Sequence, residues 1–286
     1  MCQPMKPYEL VPYPIESRLK HVLCTVDNEL FVSSPFITDY GIEFILENAK
    51  KARVLKILTN LDLRNLTGTA FGVESLVKLW DRFQVSISSL AKLHAKVYIV
   101  DHKTAFLTSA NLTRGGLVEN YEYGILLKDE RIVAGIVADM NEYFGLGNIF
   151  DRISIETMIP DVIDIREMRK ELEKDVKARK LARVLKQKEE ALQTRILRNR
   201  VKGRTINSIF GETIRYLLGL RGPLSTKELH PLVQNIHPEI CDDSIDRVID
   251  GQHFGKKWKH MVRNAQQHLK RKGIVYLEEG KWGLVA

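Results

Sequence analysis

Five polar side chains at the ends of three predicted strands could together attack a phosphorus atom. They are His94, Lys96, Ser109, Asn111 and Glu122. The strands are predicted at 97–100, 104–108 and 121–128, because apolar runs alternate there with turn residues. Residues two apart on a strand face the same side. His94 and Lys96 are therefore expected to share one face, and so are Ser109 and Asn111. A nucleophile, a cation, two small polar donors and a carboxylate are components that phosphodiester cleavage needs.

The spacing of these residues resembles the signature of the phospholipase D superfamily. That signature is His-x-Lys, four residues, Asp, six residues, and then Gly-Ser-x-Asn or a close variant. The chain matches it at His94, Lys96, Asp101, Ser109 and Asn111, while Thr108 stands where glycine is usual. The resemblance covers roughly the first half of the chain, and five matches at fixed spacing make it specific.

The resemblance implies a role for each residue. His94 attacks the phosphorus and forms a covalent phosphohistidine, which water then releases. Lys96 and Asn111 hold the phosphoryl oxygens, one by charge and one through its amide N–H groups, and Ser109 supports them. Glu122 accepts a hydrogen bond from the second ring nitrogen of His94 and so fixes the tautomer of the imidazole.

Asp101 belongs to the signature but lies at the far end of its strand from His94. Five strand residues span roughly 16 Å, a distance that separates the Asp101 carboxylate from the reacting phosphate. We therefore interpret Asp101 as a residue that stabilises the turn after the strand, and not as a catalytic one.

The chain contains the signature once, whereas members of the superfamily carry two. A lysine two positions later is lacking after His102, His230, His237 and His260. One histidine cannot be nucleophile and general acid at the same moment, so we predict a homodimer whose two His94 side chains share a cleft. Lys96 and the imidazolium supply positive charge, and no carboxylate cluster has metal spacing. No cofactor and no metal are therefore expected.

The charge of the chain favours a polyanionic partner. The 286 residues carry a net charge of +8, with a pI near 9.3. Basic residues outnumber acidic ones by 15 to 6 between Arg166 and Arg204, and by 8 to 2 between His253 and Ala286. Such clusters are typical of a nucleic-acid footprint. The three scattered cysteines support neither a disulfide framework nor a zinc site. With no apolar run long enough to span a bilayer, a cytoplasmic location without membrane attachment is expected.

Predicted strands and helices alternate through the first half of the chain. This pattern favours an α/β fold, a phospholipase D-like mixed-sheet sandwich with helices on its faces, at residues 1–157. Residues 158–204 are rich in charge, Leu and Ala, which predicts a long basic helical linker. The linker is either a solvated connector packed on one side or a helix that dimerises or contacts DNA. Its broken apolar stripe favours the connector.

The remaining residues, 205–286, have the outline of a small winged-helix domain. A helix at 209–220, a second after a capping box at Ser225 and a third at 256–271 precede a β-hairpin at 274–285. In winged-helix modules the third helix enters the major groove. The DNA-binding candidates on it are Lys256, Lys257, Lys259, Arg263 and Lys270. A protein-interaction module with a solvated basic face is the alternative.

These features combine into the prediction of a metal-independent DNA endonuclease of restriction or phage-defence type. One alternative is another phosphodiesterase of the superfamily, such as a phospholipase or a tyrosyl-DNA phosphodiesterase. Those enzymes usually carry two signatures in a longer chain. A second alternative is a catalytically inactive phospholipase D fold kept as a DNA-binding or scaffold protein. The sequence leaves open whether a helicase or another restriction subunit delivers the DNA.

Overall fold

The first of two compact units is built on one mixed sheet. The computed structural model describes residues 7–68, 71–174, 179–249 and 251–285, and the chain divides into the two units between Ile196 and Leu197. The strands of the sheet are β1 (Tyr8–Pro12), β2 (Glu29–Ser33), β3 (Val54–Thr59), β4 (Gln84–Ser89), β5 (Val97–Val100), β6 (Thr104–Thr108), β7 (Tyr123–Leu127) and β8 (Asn148–Phe150). Their order is β1-β7-β6-β5-β2-β3-β4-β8. β2, β3 and β4 are parallel to one another, and the other described pairings are antiparallel.

Helices cover both faces of this sheet. They are α1 (Ile15–Cys24), α2 (Asp39–Asn48), α3 (Leu63–Leu66), α4 (Val73–Trp80), α5 (Glu130–Leu146), α6 (Arg152–Glu156), α7 (Ile159–Lys174) and α8 (Arg179–Arg200), with a π-helical turn at Gly115–Glu119. Tyr98 and Phe106 point into the main core, to which α1, α2 and α4 contribute. Their neighbours Ile99 and Ala105 point to the opposite face, which α5 covers, because strand side chains alternate. The predicted α/β sandwich on a mixed sheet is confirmed.

The segment predicted as a helical linker, 158–204, forms two helices that pack largely on the first unit. Five of its apolar side chains are buried in the main core: Met158, which precedes α7, Val162 and Ile165 of α7, and Leu192 and Ile196 of α8. Ion pairs join the two helices, between Arg169 and Glu189 at 2.6 Å and between Arg195 and Asp161 at 2.8 Å. Residues up to 196 therefore belong to the first unit, since their apolar stripe is buried there.

The second unit contains helices and two small sheets in its described residues. The elements are α9 (Ile206–Arg221), β9 (Leu224–Ser225), α10 (Thr226–Ile236), β10 (Asp246–Ile249), β11 (Gln252–Lys256), α11 (Lys257–Arg271), β12 (Val275–Glu278) and β13 (Lys281–Leu284). β12, β13 and β9 form one sheet, and β10 pairs with β11 in a separate hairpin. The sequence pattern does not predict the β10–β11 hairpin. Its strands are short and largely exposed, so they lack the apolar alternation that identifies a strand.

Local side-chain contacts anchor the C-terminal hairpin on α10. Ser225 and Glu228 form the predicted capping box: Glu228 N donates to Ser225 Oγ at 3.3 Å, and Ser225 N donates to Glu228 Oε2 at 2.8 Å. That prediction is confirmed. One residue further on, Thr226 Oγ1 accepts a hydrogen bond from Trp282 Nε1 at 3.0 Å. The start of α10 is thus held by its own cap and by the hairpin.

Candidate active site and basic C-terminal helix

Antiparallel pairing brings the five predicted catalytic residues to one edge of the sheet. β5 and β6 are antiparallel, as are β6 and β7, so the start of β5, the end of β6 and the start of β7 adjoin. His94 and Lys96 precede β5, Ser109 and Asn111 follow β6, and Glu122 precedes β7. The structure therefore gathers the ends of these three strands, as the sequence analysis predicts.

His94 and Lys96 contact each other directly. Lys96 Nζ lies 3.3 Å from Nδ1 and 3.2 Å from Nε2 of His94, and it donates to the His94 carbonyl oxygen at 3.0 Å. His94 is exposed, whereas Lys96 is only 6% exposed. Desolvation lowers the pKa of the Lys96 ammonium, and the negative charge of Glu122 opposes that shift. A poorly hydrated cation thus lies against the exposed imidazole, where it can attract an anionic group.

The carboxylate of Glu122 is held by Ser109 and Asn120. Ser109 Oγ donates to Glu122 Oε2, and Asn120 Nδ2 donates to Oε1 at 3.3 Å. Ser109 is itself fixed by Tyr123, whose backbone N–H donates to its Oγ at 3.1 Å. No hydrogen bond joins His94 to Glu122 in the described part of the chain, and the role of Glu122 in fixing the imidazole tautomer stays a prediction. Glu122 acts on Lys96 through its charge and on Ser109 through a hydrogen bond.

Asn111 lies in a tight loop that a glycine makes possible. Its side-chain oxygen is buried and has no hydrogen-bond partner within the part of the chain that the structure describes. A Cβ atom on Gly116 would lie 2.4 Å from the backbone oxygen of Asn111 and 2.8 Å from its backbone nitrogen. Only glycine lets the π-helical turn approach so closely. Sequence reasoning missed Gly116, although Gly115-Gly116 just after the motif is a visible signal.

Thr108, which replaces the usual glycine of the signature, takes part in the local hydrogen bonds. Its hydroxyl donates to the carbonyl oxygen of Tyr123 at 3.2 Å and accepts from the backbone N–H of Ala110 at 3.1 Å. A glycine would offer neither contact. The threonine therefore joins the loop that carries Ser109 and Asn111 to the start of β7.

Asp101 stabilises a turn, as predicted. Its carboxylate accepts hydrogen bonds from the backbone N–H groups of Asp27, Asn28 and Glu29, at 2.8, 2.9 and 2.8 Å. Partial burial by itself raises the pKa of Asp101, but the three donors outweigh it, so the pKa lies below its ordinary value. The backbone φ of Asp101 is +50°, a left-handed conformation that Asp tolerates better than most residues. The prediction of a structural role is confirmed.

The five basic candidates of the C-terminal unit differ in their surroundings. Lys257, Arg263 and Lys270 are exposed on α11. The ammonium of Lys259 lies 5.4 Å from the centre of the Trp258 ring. Lys256 precedes the helix and pairs with Asp246 at 2.8 Å, a hydrogen bond that raises the pKa of this lysine. Its charge is therefore partly neutralised within the β10–β11 hairpin.

Residues 27–144 match the family model described as "Cardiolipin synthase, PLD-like domain". This range contains all five signature residues and six of the eight strands of the sheet. The first unit thus carries a phospholipase D-like domain.

One curated relative is the DISARM protein DrmC of Bacillus paralicheniformis. It is 26% identical over 151 residues, which cover 47% of this chain and 62% of the relative. The chain therefore spans less than two thirds of that protein.

Two solved structures are similar to this chain over about half of its length. Nuc from Salmonella typhimurium, a phospholipase D family member, is 14% identical, with a TM-score of 0.43, over 50% of this chain and 97% of Nuc. NucT from Helicobacter pylori is 16% identical, with a TM-score of 0.40, over 49% of this chain and 96% of NucT.

Across the described ranges, no helix is both long and apolar enough to cross a membrane. The described residues also contain no group of three or more His, Cys, Asp or Glu side chains that could hold a metal ion. A reaction that needs no metal stays a prediction.

Proposed function

We propose that this protein is a metal-independent DNA endonuclease that acts in restriction or phage defence. The observation that carries the proposal is the direct contact between the exposed His94 ring and the desolvated Lys96 ammonium, beside Ser109 and Glu122. The phospholipase D-like domain around them supports phosphodiester chemistry. The basic excess between His253 and Ala286 supports a nucleic-acid substrate. The name of the DISARM relative supports a role in defence.

The proposed reaction has two steps. A ring nitrogen of His94 bonds to the phosphorus while the bond from phosphorus to the leaving oxygen breaks, and that oxygen takes a proton from His94 of the partner subunit. Water then attacks the phosphorus and gives its proton to the partner's His94, and the phosphorus–nitrogen bond breaks. Because Lys96 Nζ is 3.2–3.3 Å from the ring nitrogens, its charge lies where the non-bridging oxygens gain negative charge.

An exposed aromatic patch beside the site supports the proposed homodimer. It contains Tyr121, which is 93% exposed, with Tyr123, Tyr13 and Leu10. The Tyr13 and Tyr121 rings are 4.9 Å apart, and Tyr123 pairs with Pro12 across β1 and β7. The patch combines the edge strand β1 with the start of the neighbouring strand β7, and Tyr121 and Tyr123 flank Glu122 in sequence. A second copy that covered it would bury apolar surface close to the scissile phosphate.

DNA recognition is assigned to the C-terminal residues, 205–286. The order of helices and the terminal β12–β13 hairpin there support a winged helix. Lys257, Arg263 and Lys270 are exposed on its third helix and have no ion pair in the described structure, which leaves their charges available to phosphates.

Cleavage of plasmid DNA with and without EDTA tests the proposal. We expect nicking or linearisation that EDTA does not abolish and that His94→Ala abolishes. His21→Ala is the matched control, since His21 is an exposed histidine on α1 outside the signature. Loss of all cleavage on chelation would contradict metal independence. A wild-type protein that binds DNA and never cuts it would support the scaffold alternative.

Trapping the intermediate tests the chemistry directly. End-labelled DNA mixed with the protein and quenched in denaturant should leave label on the chain, with the acid lability and alkali stability of a phosphohistidine. The label should be absent with His94→Ala and present with His21→Ala. Cleavage without any trapped adduct over the time course of a single turnover would argue for direct attack by water.

A further inference from the structure

The outer side of α11 carries polar side chains of two kinds. Trp258, Val262, Ala265 and Leu269 are buried on its inner side, within the core of the second unit. The exposed residues are Lys257, Arg263, Asn264, Gln267, Lys270 and Arg271. The helix is thus amphipathic, and its outer side combines cations with two carboxamides.

These side chains form an ordered stripe along the helix. Lys257, Asn264 and Arg271 are seven residues apart, so they lie within about 20° of one line. At 1.5 Å per residue, the two cations are roughly 21 Å apart with the asparagine midway between them. Gln267 follows Asn264 by three residues and shares its face. Two carboxamides therefore lie between two cations.

The carboxamides have hydrogen-bonding groups available for a ligand. Neither Asn264 nor Gln267 has a hydrogen-bond partner in the described parts of the chain. Both line a concavity of about 330 Å³ together with Asn207, Met261 and Arg271. The side-chain oxygen of Asn207 is buried there and likewise lacks a partner among the described residues. This concavity offers unused donors and acceptors to whatever covers α11.

His260, a neighbouring polar residue on the same helix, already has contacts within the second unit and is not available to a ligand in the same way. His260 Nε2 lies 2.6 Å from the carbonyl oxygen of Phe254, and Nδ1 lies 3.1 Å from Arg247 Nη1. His260 therefore binds the β10–β11 hairpin, and the first carboxamide of the stripe, Asn264, lies one helical turn later.

We propose that Asn264 and Gln267 read adenine in the major groove of double-stranded DNA, while Lys257 and Arg271 bind phosphates on either side. The inference rests on the proposed DNA-binding function. The major groove is about 12 Å wide, and Asn or Gln pairs bidentately with N6 and N7 of adenine. Cations placed roughly 10 Å before and after the carboxamides reach the two backbones that border the groove. An acidic protein surface would use the cations and leave both carboxamides unpaired.

Selection from a random duplex library tests this assignment with the full chain. The chain carries His94→Ala so that bound DNA is not cut. We expect the selected sites to share A·T pairs. Asn264→Ala or Gln267→Ala should reduce the preference for the selected site over a scrambled one by roughly tenfold or more, with the same salt dependence. Lys257→Ala or Arg271→Ala should weaken binding to both duplexes and lower the salt slope by about one. Gln187→Ala, at an exposed position of α8, is the matched control.

Replacing single adenines of the selected site by 7-deazaadenine locates the contact. The substitution removes N7, so it should weaken binding by the His94→Ala chain and should have no further effect on the Asn264→Ala chain if Asn264 reads that base. DNA binding with no sequence preference, or a preference unchanged in both carboxamide variants, would overturn the assignment and leave DNA binding intact. Failure to bind any duplex would instead overturn the proposed DNA-binding function.

Discussion

Asp101 offers the sharpest test of how the sheet edge opposite the candidate active site is held together. Asp101 Oδ1 accepts from Asn28 and Glu29, and Oδ2 accepts from Asp27. Asp101→Asn keeps an oxygen for two donors but turns its NH₂ group toward the N–H of Asp27. We expect this change to cost about 2 kcal/mol of unfolding free energy, because charge-assisted bonds become weaker neutral ones and one is lost.

Two further substitutions separate the hydrogen bonds from the backbone conformation. Asp101→Ala loses all three bonds and places alanine at a φ of +50°, for a cost of about 4 kcal/mol. Asp101→Gly loses the bonds but tolerates this φ, so it should be about 1 kcal/mol more stable than the alanine variant. Asp139→Asn, at an exposed position of α5, should change stability by less than about 0.5 kcal/mol.

The pH dependence of stability gives an independent test of the contribution that the Asp101 carboxylate makes. The folded-state pKa of Asp101 is depressed, so its contribution is complete above the unfolded-state pKa of about 3.9 and is lost as the pH falls through the lower folded value. The stability difference between wild type and Asp101→Asn should therefore shrink below pH 4. Urea unfolding followed by circular dichroism measures it. Full stability of Asp101→Asn with no cleavage per folded molecule would refute the structural role.

Three other predictions concern the core, the signature loop and the dimer. Tyr98→Phe should stabilise the protein by about 1 kcal/mol in thermal unfolding, because the Tyr98 hydroxyl is fully buried and has no partner among the described residues. A loss of stability would show that this hydroxyl has a hydrogen-bond partner. Gly116→Ala should displace Asn111 and abolish cleavage. Its control Gly135→Ala, in open space on α5, should raise stability by about 0.5–1 kcal/mol in urea unfolding and leave cleavage unchanged. Adding an equal amount of the His94→Ala chain to wild type, with subunit exchange, should roughly halve plasmid cleavage if two His94 side chains share one site; unchanged cleavage would mean that each chain acts alone.

Much of the catalytic half of the molecule follows from local pattern. Each strand of the signature is short and apolar, and its polar residues come where the strand ends, so the placement of His94, Lys96, Ser109 and Asn111 at strand ends can be predicted from spacing alone. The capping box of Ser225 is also local. In these cases the deciding interactions involve residues whose geometry the backbone itself fixes.

Other features depend on partners that are distant in sequence. Nothing local tells Glu122 to bond Ser109 instead of His94; that choice follows from how β6 and β7 pair. The neutralisation of Lys256 by Asp246 requires the β10–β11 hairpin, which has no clear apolar alternation. The burial of Leu192 and Ile196 assigns most of the predicted linker, residues 158–196, to the first unit, although composition alone makes it a charged helix.

The sequence by itself therefore determined the class of fold, the chemistry that its signature residues can perform and the charge of its C-terminal helix, because periodicity, spacing and composition are properties of the chain. Only the tertiary structure decided which of those side chains face one another and which remain free for a ligand. A hydrogen bond depends on fractions of an ångström between residues far apart in the chain, and these distances exist only after the strands and helices have packed.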